Sequence, residues 1–255
     1  MANEKKQANS GLPLAIIVGV LVAVVIGGWW FYSSSANKPK GNTNKASATQ
    51  KPTVPTNAPI GAQPPNLLGS PTALVTVEEF ADFQCPTCAS VHPAVKEIQS
   101  IYGSRIKFIF RNFPLQMHDK AYDAAVAAEA AGLQGSDKFW AMQNQLFSNQ
   151  QTWANDPNYR QVFADYAQKI GLDTAKFDAD TRGLVAKQRV DEDLRRARGL
   201  NVGSTPTIYI NGEAVPPSDM NVTAMRQLID AEIQKTNAAQ SQGEKPAAAN
   251  ANASK

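Results

Sequence analysis

The sequence predicts an α/β fold with a helical insertion, preceded by one N-terminal transmembrane helix, and three observations carry that prediction. Two stretches, beginning near Val75 and Ile106, alternate their side chains with the period of a β-strand. From Asp119 to Arg198 the apolar stripes have helical spacing instead. The run from Gly11 to Tyr32, GLPLAIIVGVLVAVVIGGWWFY, carries no charge and has about the length a helix needs to cross roughly 30 Å of hydrocarbon.

Taken in order, residues 1–10 form a short cytoplasmic N-terminus and residues 11–32 the membrane anchor, with Trp29, Trp30 and Tyr32 suited to the headgroup interface. Lys5 and Lys6 before the run, and Ser34, Ser35 and Ala36 after it, would also suit a cleaved secretory signal. The run exceeds the usual signal core of about 7 to 15 residues, which favours the anchor. Either reading exports the C-terminal remainder of the chain. Residues 33–66 are rich in Ser, Asn, Lys, Thr, Ala and Pro and are expected to be a disordered linker, and 238–255 a second low-complexity tail. The folded domain is expected over 67–237, with its insertion at about 116–199. A formal charge of +3 over 255 residues demands no nucleic-acid partner.

Within the domain the first predicted strand is ALVTVEEFADF, where Val75, Val77, Glu79, Ala81 and Phe83 share one face. Glu79 is the only charge on that face. A helix follows from Pro86 to Tyr102, with Val91, Val95, Ile98 and Tyr102 as its stripe and a kink expected at Pro93. RIKFIFRNF, from Arg105 to Phe113, is a second strand. The insertion begins with an Ala-rich helix ending near Gly132 and continues through Phe139, Met142 and Leu146. Tyr159, Val162, Phe163, Tyr166, Ala167 and Ile170 form its clearest amphipathic stripe. Asp173 is a candidate N-cap, and the charges of DEDLRRAR read as a solvated helix face. Strand character returns at PTIYING, where Asn211-Gly212 predicts a tight hairpin into EAV, and a last helix turns Met225, Leu228, Ile229 and Ile233 inward.

The two cysteines of the chain, Cys85 and Cys88, both lie in FQCPTCASVHP. Cys85 stands where a strand gives way to a helix, so its sulfur faces unpaired N–H groups and the positive end of the helix dipole. That position favours thiolate, the form that attacks disulfides and departs from them. Cys88, one turn on, is placed to resolve a mixed disulfide. A zinc site would want about four Cys or His ligands, and the chain adds only His92 and His118 to its cysteine pair. A purely structural disulfide closing so short a loop would add little stability. His92 and His118 read as ordinary helix-end residues, although His92 could lend charge to the pair.

VEEFADFQCPTC, the proline five residues beyond Cys88, and VGSTPTIYING resemble the thioredoxin superfamily, and the helical insertion makes the chain similar to the DsbA-like thiol:disulfide oxidoreductases over residues 67–237. The resemblance implies a thioredoxin fold in which Pro206 is cis and lies beside the cysteine pair. Thr205 would then present its backbone edge to a substrate strand. It also implies that Glu79 is the buried acid often found near such a pair; burial would raise its pKa and let it exchange a proton with Cys88. The dipeptide Pro86-Thr87 departs from strongly oxidising DsbA proteins, which typically carry His before the second cysteine. A potential between about −270 mV and about −120 mV is expected.

The function expected is that of a membrane-tethered, extracytoplasmic oxidoreductase, a single-pass protein of the cell membrane that donates its disulfide to thiol-containing exported proteins. A quinone-linked DsbB-like membrane partner would reoxidise it, and no metal or organic cofactor is implied. A membrane-tethered reductase or isomerase would share the chemistry with electrons flowing the other way. A metal-binding or chaperone module using Cys85, Cys88 and His92 is the alternative from another class.

Overall fold

The computed structural model describes residues 54, 55 and 57–243, which include the whole predicted domain. The expected N-terminus, membrane anchor and most of the linker and tail lie outside the described residues. Among those described, no helix is long and apolar enough to cross a membrane. The chain enters the sheet through β1 (Asn66–Gly69) and β2 (Val75–Ala81), crosses over by α1 (Pro86–Tyr102) and returns as β3 (Ile106–Asn112). Six helices follow: α2 (Ala121–Gly132), α3 (Ser136–Ser148), α4 (Gln150–Ala154), α5 (Tyr159–Lys169), α6 (Thr174–Arg182) and α7 (Leu184–Gly199). The hairpin β4 (Thr207–Ile210) and β5 (Glu213–Ala214) and the helix α8 (Val222–Ser241) complete the domain.

The sheet order is β1-β3-β2-β4-β5. Strands β2 and β3 are parallel, as the α1 crossover requires, and the other neighbours are antiparallel. Strand β2 therefore sits at the centre with both faces covered. Val75, Val77 and Ala81 face one side with Ile106, Phe108, Phe110 and Ile208, in one core with Val95, Ile98 and Tyr102 of α1 and Met225 and Ile229 of α8. The Tyr102 hydroxyl donates to Asp230 Oδ1 at 2.7 Å, joining α1 to α8. Phe80 and Tyr209 belong to a second apolar cluster on the opposite face, with Ala197 of α7, Leu200 and Val202. Helix α1 stays unbroken through Pro93.

Four expectations about organisation change. Strand β1, which the sequence did not predict, precedes the first predicted strand, because NLLG is too short to show a period. The domain also begins before residue 67. Ala62 is buried, and the segment before β1 is gripped by arginines: Arg196 Nη1 donates to the Pro59 carbonyl at 2.7 Å, Arg111 Nη2 to Ile60 at 2.9 Å and Arg111 Nη1 to Ala62 at 3.0 Å. Residues 57–66 are part of the packed domain rather than linker, since their backbone carbonyls satisfy buried guanidinium groups that composition cannot reveal. At the other end α8 continues to Ser241, so the first residues of the expected tail are helical.

The last change concerns DEDLRRAR. Its Asp193 and Arg196 are buried, not solvated. Glu78 of β2 accepts from Arg111 Nε at 2.8 Å and from Arg196 Nε and Nη2 at 2.7 and 2.6 Å. Asp193 accepts from Arg111 Nη1 and from the N–H groups of Ala62 and Asn112, each at 3.0 Å. Burial opposes ionisation of Glu78, but the Arg196 hydrogen bonds and the Arg111 charge reverse this and hold its carboxyl below the usual range. Only the outward face of that helix is solvated, where Arg195 and Glu192 form an exposed pair at 3.5 Å.

Candidate active site

The end of β2 delivers the chain into a tight turn, Asp82 to Gln84, and then into α1. Cys85 is the N-cap of α1, in extended conformation, with Pro86 in the first turn, where its missing N–H is no loss. The Cys85 N–H donates to the Asp82 carbonyl at 3.1 Å, and its own carbonyl accepts the Ala89 N–H at 3.2 Å. Both sulfurs are free thiols. Pro86 and Thr87 are exposed between two buried cysteines, so the pair opens to solvent only at its outer edge.

The two thiols differ sharply. Hydrogen bonding from the Cys88 thiol is the largest influence on Cys85; it outweighs desolvation and, with Thr205 and the N–H groups of Cys88 and Thr87, holds the Cys85 thiol down at about 5. Burial pushes the Cys88 thiol far up, and the neighbouring Cys85 pushes it further. Glu79 is 1 % exposed, and burial alone raises its carboxyl to about 8. Its Oε2 has no hydrogen-bond partner among the described residues. The site therefore holds an anion-favouring sulfur at its mouth, a proton-holding sulfur behind it, and a carboxyl that is mostly protonated at neutral pH.

The hairpin strand brings the third component. Thr205–Pro206 is a cis peptide, and the Thr205 carbonyl lies 3.6 Å from Cys85 Sγ. Pro206 is buried, whereas Ser204 and Gly203 ahead of it are exposed. The backbone edge at Thr205 thus borders the reactive sulfur.

His92 does not lend charge to the pair. It is buried on α1 with its ring 4.7 Å from that of Phe147, and burial depresses its pKa to about 4, so it is a neutral packing residue at physiological pH. His118 is placed otherwise: its Nδ1 is 2.6 Å from Asp82 Oδ2.

Two residues at the site were not singled out from the sequence. Asp82 is buried, and its carboxylate accepts the N–H of Gln84 at 2.7 Å and of Leu115 at 2.8 Å. Gln150, the first residue of α4, sends its amide Nε2 to the carbonyls of Phe83 at 2.7 Å and Cys85 at 2.9 Å. Asp82 carried a usable signal, being a polar residue at the end of a buried strand just before the cysteines. Gln150 carried none, because its contact spans 65 residues of sequence.

A family described as thioredoxin matches residues 62–231. A protein of Bacillus cereus named "Probable disulfide bond formation protein D" is 29% identical over 237 residues, covering 90% of this chain and 100% of that one. A protein of Mycolicibacterium gilvum named "Na(+)/H(+) antiporter NhaA 1" is 37% identical over 158 residues, 61% of this chain. The match spans only 24% of the antiporter's length. Among solved structures, oxidised BdbD from Bacillus subtilis is similar with a TM-score of 0.60 and 25% identity, covering 69% of this chain and 98% of that one.

Proposed function

The chain belongs to the thioredoxin family, as a DsbA-like thiol:disulfide oxidoreductase with a Cys85–Cys88 pair, and from that premise we propose that it works outside the cytoplasm, tethered to the membrane by residues 11–32, and donates its disulfide to exported proteins. The observation that carries this reading is the asymmetry of the two sulfurs: a thiolate-favouring Cys85 at the helix N-terminus and a proton-holding Cys88 behind it. A low pKa at the outer sulfur stabilises the reduced pair and makes Cys85 a good leaving group, which is the property of a disulfide donor.

In the forward direction a substrate thiolate attacks Cys85 Sγ of the disulfide form. A substrate–Cys85 bond forms, the Cys85–Cys88 bond breaks, and Cys88 leaves with the electron pair. Because a buried thiolate is so unfavourable there, Cys88 must take a proton as it departs, and the protonated Glu79 beside it supplies one. A second substrate thiolate then attacks the substrate sulfur of the mixed disulfide and displaces Cys85 as thiolate. The substrate is oxidised by two electrons, and the pair is left reduced. The Thr205 edge, next to Cys85, receives the substrate chain as an added strand while the mixed disulfide exists.

Extracytoplasmic placement is supported by the similarity to the disulfide bond formation protein of Bacillus cereus and by the oxidant role itself, because disulfides persist in oxidising compartments. A DsbB-like membrane protein passing electrons to quinone is the reoxidant proposed. The Na(+)/H(+) antiporter relatives carry the matching segment within a much longer chain, a precedent for this domain attached to a membrane protein.

The test is a trap. Replacing Cys88→Ser removes the resolving sulfur, so complexes at Cys85 persist and their partners can be identified after alkylation in cells. Exported cysteine-containing proteins are the expected catch, with the wild-type pair mainly oxidised. An empty trap, or a pair held reduced in cells, would overturn the donor role.

A further inference from the structure

Asp82 is the hinge point of the active-site turn. Its carbonyl receives the Cys85 N–H at 3.1 Å, so this one residue sets the backbone at the first cysteine of the pair. Its carboxylate is fully buried and is filled from two directions. The Gln84 N–H comes from the turn itself, while the Leu115 N–H and His118 Nδ1 come from the loop between β3 and α2. Gln84 laces the same two segments a second time, its Oε1 accepting the Lys120 N–H at 2.7 Å and its Nε2 donating to Asp119 Oδ1 at 2.8 Å.

Within this lacing the His118 contact differs from the others. It is the shortest of the three to the carboxylate, and it is the one made by a side chain. A buried carboxylate short of one donor is strongly driven to find another or to turn toward water. A turn of the Asp82 carboxylate would also release the Gln84 and Leu115 N–H groups that it accepts, and with them the turn whose Asp82 carbonyl holds the Cys85 N–H.

We propose that His118, acting through Asp82, is a positioning residue for the dithiol: the clasp between His118 Nδ1 and Asp82 Oδ2 fixes the turn that presents Cys85 at the helix N-terminus. This rests on the oxidoreductase reading above and adds to it a residue from the loop opening the insertion, which touches neither sulfur. It also gives that loop a task, since it couples the insertion to the redox poise of the pair.

The measurement is the equilibrium of the full chain with reduced and oxidised glutathione, with the titration of Cys85 followed by thiolate absorbance. Three proteins are compared: wild type, His118→Ala, and His118→Asn, whose amide nitrogen can stand where Nδ1 stood. His118→Ala is expected to shift the equilibrium toward the disulfide form of the enzyme by about threefold to tenfold, the range of one hydrogen bond's net contribution, with Cys85 titrating at higher pH. His118→Asn is expected to restore most of both. Should His118→Ala fail to fold, His118→Phe keeps the ring's bulk without the donor and enters the same comparison. A folded donor-free variant with wild-type equilibrium and wild-type Cys85 titration overturns the proposal, as does a shift of equal size in His118→Asn. Failure of the wild-type pair to exchange with glutathione would instead strike the oxidoreductase reading, so the two are separable.

Discussion

Replacing Glu79→Leu should stabilise the domain and slow its chemistry, and the size of the first effect follows from the burial of the carboxyl. The group ionises near 4.5 when unperturbed and at about 8 in the folded protein. Between those values the folded state holds a proton that the unfolded chain has released, so folding becomes less favourable as pH rises, by roughly 1.4 kcal/mol per pH unit. Below the unfolded value both states are protonated and the penalty is absent; above the folded value it is complete. At pH 7 it amounts to about 3 kcal/mol, a large share of a typical net stability of about 5–15 kcal/mol. Leucine has no such penalty and leaves no polar atom unmet. Urea unfolding of the reduced proteins at pH 4, 7 and 9 would show the variant's advantage growing with pH through that window. Packing alone would give a gain independent of pH. The same variant should lose about a hundredfold in the rate at which Cys88 is released or resolves a mixed disulfide, the scale of a lost general acid–base group. A gain flat across the three pH values, or exchange at the wild-type rate, would refute the assignment of Glu79 as a buried neutral acid.

Alkylation by iodoacetamide should modify Cys85 of the reduced protein with half-maximal rate near pH 5, reaching a plateau by about pH 7, while Cys88 stays unmodified; a Cys85 profile centred near that of a free thiol, about 8.5, would contradict the site's electrostatics. Glu78→Gln should destabilise the domain by about 3–5 kcal/mol in urea unfolding, since two buried arginines lose their shared anion. The glutathione equilibrium of that variant should not change, because Glu78 faces the side of the sheet away from Cys88. Truncation before residue 67 should lower the unfolding midpoint of the domain relative to truncation before residue 54, as Arg111, Arg189 and Arg196 lose the backbone acceptors supplied by Pro59, Ile60, Ala62, Gln63 and Pro64.

The parts of the fold that the sequence revealed are those written in local patterns. Period two located β2 and β3, Asn211-Gly212 located the β4–β5 hairpin, and Asp173 caps α6 by accepting the Lys176 N–H at 2.9 Å. The cysteine pair was visible because a two-residue spacing at a strand-to-helix junction is itself a local pattern. What escaped is held by partners distant in sequence. Strand β1 exists because Asn66 to Gly69 pair with β3, some 40 residues away, and the 57–66 segment is fixed by guanidinium groups from β3 and α7. Gln150 and His118 reach the active-site turn from the insertion and the loop before it, and neither residue type is diagnostic alone. Charge patterning misled for a related reason: DEDLRRAR has the composition of a solvated face, and only the sheet beneath it decides which of its charges turn inward.

The two glutamates of VEEF show how little of a residue's chemistry lies in its identity. Glu78 and Glu79 are adjacent, and both are buried. The strand's alternation sends them to opposite faces of one sheet, and the faces are chemically unlike. On one, Arg111 and Arg196 reach Glu78 from β3 and α7, and the carboxyl stays ionised as part of a structural network. On the other, no cation meets Glu79 among the described residues, and desolvation alone governs it, so it keeps its proton beside Cys88. A slip of one residue in the register of β2 would send Glu79 to the arginine face and Glu78 to the thiol face, displacing both carboxyls from the positions their partners require. The register of the central strand is therefore a condition for the redox chemistry as much as for the core, and the apolar side chains of Val75, Val77 and Ala81 that fix it are as necessary to the reaction as the carboxyl they surround.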